Sequence, residues 1–94
     1  MKLFWTPEAA LDRRAIYAHI EADNPNTAMA LDELFSARAA RLPRHPALGR
    51  PGRVDGTREL VVHRNYILVY DTAGDRVRVL RILHTARQWP PEVG

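Results

Sequence analysis

Between Gly49 and Pro90 the chain passes through three β-branched or aliphatic stretches, each bounded by turn residues, and arginine recurs through all of them. Stretches of that length with that punctuation predict a small antiparallel sheet. The strands are expected over 58–63, 66–71 and 76–84. Arg64-Asn65 forms one tight connection, in which Asn65 would tolerate a positive φ, and Ala73-Gly74-Asp75 closes the next hairpin. On the last strand both alternating sets are apolar: Leu80 and Ile82 on one face, Val77, Val79 and Leu83 on the other. A strand buried on both faces belongs in the interior of a sheet.

The first half supplies what covers that sheet. Residues 2–6, with Leu3, Phe4 and Trp5, read as a short strand. Thr6-Pro7-Glu8 is a helix start, with a hydroxyl at the N-cap, proline at the first helical position and an acid in the first turn. That helix should reach about residue 23. Ala9, Ile16 and Ile20 share one face, while Leu11, Ala15, Ala18 and Ala22 form a second stripe of mostly small residues, so the helix is expected to make contact on two sides. Asn24-Pro25 ends it and begins a second helix over 25–42, whose apolar face is Ala28, Leu31, Phe35, Ala39 and Leu42. A short connection makes the pair an antiparallel hairpin. From 43 to 57, Pro43, Pro46 and Pro51 alternate with Gly49, Gly52 and Gly56, and no regular element is expected. The tail after His84 is read as short and irregular. The predicted order is β-α-α-β-β-β, an α+β domain spanning 1–94 with a helical hairpin on one face of a twisted, mainly antiparallel sheet.

Composition narrows the functional classes. A chain of 94 residues is one domain with one modest core. It has no cysteine, hence no disulfide framework or thiolate metal site. No apolar run approaches the ~20 residues of a membrane span, and no signal-peptide core opens the chain, so a cytoplasmic location is expected. No cofactor motif is present, and His19, His45 and His63 lack metal-ligand spacing. Up to Gly49 one Lys and five Arg meet six acids; from Arg50 onward eight Arg meet five acids, which supplies the whole net charge of +3. Codon usage in a high-GC genome would account for arginine over lysine, but not for the excess lying in one half. A basic face on a sheet suggests a polyanion or an acidic protein as partner. Gly49-Arg50-Pro51 has the wording of a minor-groove AT-hook. It is a single copy, however, and connects two elements of a packed domain. Tyr66 and Tyr70 share a strand face and read as packing residues rather than base-stacking platforms. Trp5 is expected in the core, and Trp89 either folds back on the sheet or meets a partner.

In this order, Thr6-Pro-Glu-Ala9, the Asn24-Pro25 break, Leu42 with Pro46 and Gly49, Gly56-Thr-Arg-Glu-Leu60, Asn65-Tyr-Ile-Leu-Val-Tyr70 and Ile82-Leu-His-Thr-Ala-Arg87 resemble the RelE/ParE superfamily of toxins from bacterial toxin–antitoxin pairs. The resemblance covers nearly the whole chain. It implies a β-α-α-β-β-β fold and a cognate antitoxin that wraps the toxin in a hetero-oligomer. The antitoxin would take the Leu11, Ala15, Ala18 and Ala22 stripe, with Arg78 and Leu80 on the last strand. The RelE branch cuts mRNA on the ribosome by attack of the 2′-OH on the adjacent phosphate. That chemistry needs a base, cations for the crowded phosphate and an acid for the leaving oxygen. Arg58, His84 and Arg87 are the catalytic candidates on that reading. Against it, the arginine that the RelE pattern places directly after the tyrosine of the third strand is here Ile67, and the nearby Trp89 has no useful proton to donate. The wording is closer to the ParE branch, which lacks nuclease residues and acts on DNA gyrase. Arg50, Arg53, Arg58, Arg81, Arg87 and Trp89 are then the candidate target-binding residues. A degenerate module that keeps only antitoxin contact is a third, non-toxic reading.

Overall fold

The computed structural model describes residues 1–86. Seven elements follow one another: β1 (Lys2–Trp5), α1 (Pro7–Glu21), α2 (Pro25–Ala39), β2 (Arg50–Pro51), β3 (Arg58–His63), β4 (Tyr66–Ala73) and β5 (Arg76–His84). The five strands form one sheet in the order β1-β5-β4-β3-β2, antiparallel except where β1 runs parallel to β5. β5 lies inside the sheet, as its two apolar faces require.

Both helices begin at their sequence signals. The Thr6 hydroxyl accepts from the Ala9 N–H at 3.1 Å and donates to the Leu80 carbonyl at 3.0 Å, so the cap also ties α1 to β5. Asn24 caps α2 by accepting from the Thr27 N–H, with Pro25 next. α1 ends at Glu21 and α2 at Ala39, each short of the predicted end. Past Ala39 the chain continues in tighter turns, with Arg41 and Leu42 N–H groups bonded to carbonyls three residues back, so Leu42 still reaches the core. Arg13 joins the two helices. Its guanidinium meets both carboxylate oxygens of Asp32, at 2.6 and 3.0 Å, while lying 4.9 Å over the Trp5 ring.

The core is the layer between hairpin and sheet. Ala9, Leu31, Phe35, Ala39 and Leu42 pack on Leu60, Val62, Leu68, Tyr70, Val77, Val79 and Ile82. Ile67, Val69 and Leu83 form a smaller cluster on the other side of the sheet. Three features depart from the sequence expectation. β2 occurs inside the loop predicted to be irregular; it is two residues long and pairs with Glu59 and Arg58 at the sheet edge, where Pro51 is tolerated because an outer N–H is not needed. Asn65 does not take a positive φ; among the described residues only Gly56 and Gly74 do. Finally, the register between β4 and β5 shifts so that Val69 faces Arg81 and Tyr70 faces Val79, leaving Leu80 as an extra residue in a bulge. The alternation along β5 therefore changes phase. Val77, Val79 and Ile82 enter the helix-side core, Leu83 enters the other cluster, and Leu80 is only half-buried.

Candidate functional site

A buried tyrosine shapes the arginine-bearing edge. Tyr70 is fully buried, and its hydroxyl accepts from the Gly49 N–H and donates to the Pro46 carbonyl, both at 2.8 Å. Residues 46–49 are thereby held against the end of β3. Gly49 fits only without a side chain, since a Cβ there would stand 2.8 Å from the Glu59 carbonyl oxygen and 2.8 Å from the tyrosine ring. Pulled in this way, the loop delivers Arg50 to β2 and the Gly49 carbonyl to Arg58, whose Nη1 donates to it at 2.8 Å.

Glu59 fixes the other two arginines. Only 2 % exposed, it accepts from the Arg53 N–H at 3.1 Å and from Arg50 Nη2 at 3.3 Å, with Arg53 Nε at 3.7 Å. A buried carboxylate needs partners of this kind. The two guanidinium groups stay about half exposed. Arg58 bonds to a carbonyl, which carries no charge to offset its own. Among the side chains joined by these bonds, three cations meet one anion at one sheet edge, where Arg50 and Arg53 face water and Arg58 is partly buried. Such an edge can bind phosphates or carboxylates with directed N–H donors. Sequence reasoning named Arg50, Arg53 and Arg58 but missed Glu59 and Tyr70, which position them. The alternation of β3 does place Glu59 opposite the helix-facing Leu60, and that was the available signal. Glu59→Gln retains an acceptor for the Arg53 N–H and removes the charge. It is expected to cost about 1–2 kcal/mol by chemical denaturation, the low end reflecting half-exposed partners, and to weaken target binding more than it weakens the fold.

The remaining candidates lie elsewhere. Arg81 is at the seam between α1 and β5, where Nε and Nη2 meet the two Asp12 oxygens at 2.7 and 3.1 Å. Its side-chain bond to Asp12 raises its pKa above the usual guanidinium value. Arg78 pairs with its cross-strand neighbour Asp71 at 2.6 and 2.8 Å, and that hydrogen bond, then the charge of Asp71, raises its pKa likewise. Leu11, Ala15, Ala18 and Ala22 all face solvent, with Leu11 58 % exposed. His84 ends β5 opposite Tyr66, whereas Arg58 begins β3 opposite Tyr70. Four residues of β4 separate those partners, about 13 Å along the strand, and β4 stands between. Arg58 and His84 are therefore not brought together. Arg87 and Trp89 lie outside the described residues. Among the described residues no three His, Asp or Glu side chains are grouped as metal ligands, and no helix is long and apolar enough to cross a membrane.

The comparisons with known proteins agree with this architecture. A chromosomal ParDE toxin–antitoxin system from P. aeruginosa contains a chain 30% identical, with a TM-score of 0.83 over 89% of this chain and 95% of that one. A YoeB/ParE toxin from Agrobacterium tumefaciens shares the fold, with a TM-score of 0.66 over 89% of this chain and 98% of its own, at 21% identity. Two helices on a mixed five-stranded sheet thus define a RelE/ParE-superfamily toxin fold. Residues 3–89 match the family described as the ParE toxin of type II toxin–antitoxin systems, parDE, and the chain belongs to that family. It is also 37% identical over 90 residues to a Sinorhizobium fredii protein named "Putative toxin Y4kP", covering 95% of this chain and 93% of that protein.

Proposed function

We propose that this ParE-family toxin arrests growth by acting on DNA gyrase in the cytoplasm, and that a cognate antitoxin neutralises it. The observation that carries the reading is Ile67. Where the RelE pattern needs an arginine for the scissile phosphate, this chain has an isoleucine 2 % exposed, packed with Val69 and Leu83. Loss of a preorganised cation of that type removes about 3–4 kcal/mol of transition-state stabilisation. The separation of Arg58 from His84 also argues against a single acid–base centre. The arginine edge of Arg50, Arg53 and Arg58, held by Glu59 and Tyr70, is the surface assigned to the target. The exposed Leu11, Ala15, Ala18 and Ala22 stripe on α1, and separately Leu80 and Arg78 on β5, are assigned to the antitoxin; the P. aeruginosa relative, described as a ParDE toxin–antitoxin system, supports such a partner.

Purified toxin is expected to inhibit gyrase supercoiling and to accumulate cleaved DNA, with both effects reversed by the antitoxin. If gyrase neither stalls nor cleaves over a wide dose range, the reading fails. Ribosomal A-site cuts in a primer-extension experiment would favour RelE-type cleavage instead, and unimpeded growth on expression without antitoxin would favour a non-toxic binding module.

A further inference from the structure

Three rings stand side by side at one end of the sheet, away from the arginine edge. His63, Tyr66 and His84 come from β3, β4 and β5 and are cross-strand partners. The Tyr66 ring centre is 6.3 Å from that of His63 and 5.3 Å from that of His84, the latter pair nearly perpendicular. Phe35, buried on α2, meets Tyr66 edge-on at 5.7 Å and sets its position from beneath. The two imidazoles are exposed, yet each is oriented by the main chain. The Asn65 N–H donates to His63 Nδ1 at 3.2 Å, and the Ala86 N–H donates to His84 Nδ1 at 3.0 Å. With Nδ1 accepting, a neutral imidazole carries its proton on Nε2, which remains available as a donor. Thr85 locks the row by bonding to both Asn65 and Arg64 of the β3–β4 turn.

Beside this row lies a cavity of about 440 Å³, within the size range of small-ligand sites. Ile20, Leu31 and Leu34 give it an apolar floor, and His19, His63 and Asn65 contribute polar groups. No carboxylate is among the described residues lining it. A smaller cavity of about 220 Å³ adjoins His84, Tyr66 and His19; Asp12, the one acid among the described residues lining it, is engaged by Arg81 and by the Ile82 N–H. Arg64 is exposed on the adjacent turn. An apolar slot whose described rim offers donors and no anion suits a planar base joined to a phosphate.

We propose that this end of the sheet binds one nucleotide of a single-stranded nucleic acid. The base enters the slot beside Tyr66, and its phosphate is met by the Nε2–H group of His63 at the slot's rim, while His84 flanks the smaller cavity on the other side of Tyr66 and can meet the neighbouring phosphate. A paired base cannot enter such a slot, so duplex is discriminated against; stacking tolerates any base identity. Tyr66 thus has a packing role through Phe35 and a ligand-facing role through its half-exposed part. The inference is independent of the gyrase reading, because binding is measured without gyrase and either can fail alone.

The test is fluorescence anisotropy of the full chain with labelled single-stranded RNA and DNA of about 12 nucleotides, a length in the range of single-strand binding modules. The matching duplex and a polyglutamate peptide serve as competitors. Single strands are expected to bind saturably and the duplex at least about tenfold more weakly. The paired change His63→Asn with His84→Asn, and separately Ala30→Phe, which fills the slot from an exposed position on α2, should each weaken binding by about tenfold, the loss of one stacked and hydrogen-bonded nucleotide. Arg44→Ala, a surface charge removed in the loop after α2, should change it less than about threefold, so a general charge effect is distinguishable. The proposal is overturned if no saturable binding occurs, if duplex or polyglutamate binds as tightly, or if Ala30→Phe, folded by circular dichroism, binds unchanged.

Discussion

Tyr70→Ala is expected to lower the unfolding free energy by about 3–5 kcal/mol, the range for losing a buried aromatic ring. A domain of this size holds about 5–15 kcal/mol in total, so the variant should be largely unfolded at moderate temperature. Tyr70→Phe isolates the hydroxyl. It keeps the ring in the core and leaves the Gly49 N–H and the Pro46 carbonyl without their bonds, at about 1–3 kcal/mol. Gly49→Ala perturbs the same contact from the other side. Its Cβ would meet the Glu59 main-chain oxygen, which cannot swing aside as a flexible side chain could, and overpacking costs about 1–3 kcal/mol. Urea denaturation ranks the three. If Tyr70→Phe unfolds at the wild-type midpoint, the hydroxyl does not hold the loop. Because the same loop presents Arg50 and delivers the carbonyl that Arg58 meets, Tyr70→Phe should also impair growth arrest more than its stability loss accounts for.

The second large effect is expected at Asp12. One carboxylate holds Arg81 through two nitrogens and takes the Ile82 N–H at 2.9 Å, thereby fastening α1 to β5 just after the bulge. Asp12→Ala leaves a half-buried cation and a main-chain donor without that partner, at about 2–4 kcal/mol. Asp12→Asn retains an acceptor for the N–H and should cost roughly half as much. The pH dependence has a definite sign. The folded-state pKa of Arg81 is raised by its bond to Asp12, so its contribution is fully present below the ordinary guanidinium value and is lost only as pH rises through the raised one. Deprotonation of Arg81 therefore takes nothing from stability across the neutral range. A wild-type denaturation midpoint that falls between neutral pH and about pH 9 would have to come from another group.

How much was legible in the sequence depended on the range of each interaction. Thr6-Pro7 and Asn24-Pro25 announced their helices because capping is decided within four residues. The interior place of β5 was legible because burial on both faces leaves apolar residues at every position. Arg50, Arg53 and Arg58 were named among six candidate target-binding residues, but their convergence on one end of β3 was not legible, because it depends on Glu59 and Tyr70. Arg81 was included with them, yet its partner Asp12 lies 69 residues earlier in the chain. β2 was missed because two residues, one of them proline, have no periodicity; it exists only through its pairing with β3. The bulge at Leu80 was missed for a related reason, since alternation assumes an unbroken ladder.

By itself the sequence determined every element but β2, the order of those elements, the apolar face of each helix and the excess of arginine in the second half. All of these arise from local backbone preferences and from the 2.0 and 3.6 residue periods of side-chain direction. Only the tertiary structure decided which cations are gathered around one glutamate and one carbonyl at a sheet edge and which join α1 to β5 or β4 to β5. It also decided that a glutamate and a tyrosine would present the former, and that two histidines and a tyrosine would meet across three strands. Those outcomes depend on hydrogen bonds between residues far apart in the chain, whose partners are chosen by packing geometry and not by their neighbours in sequence.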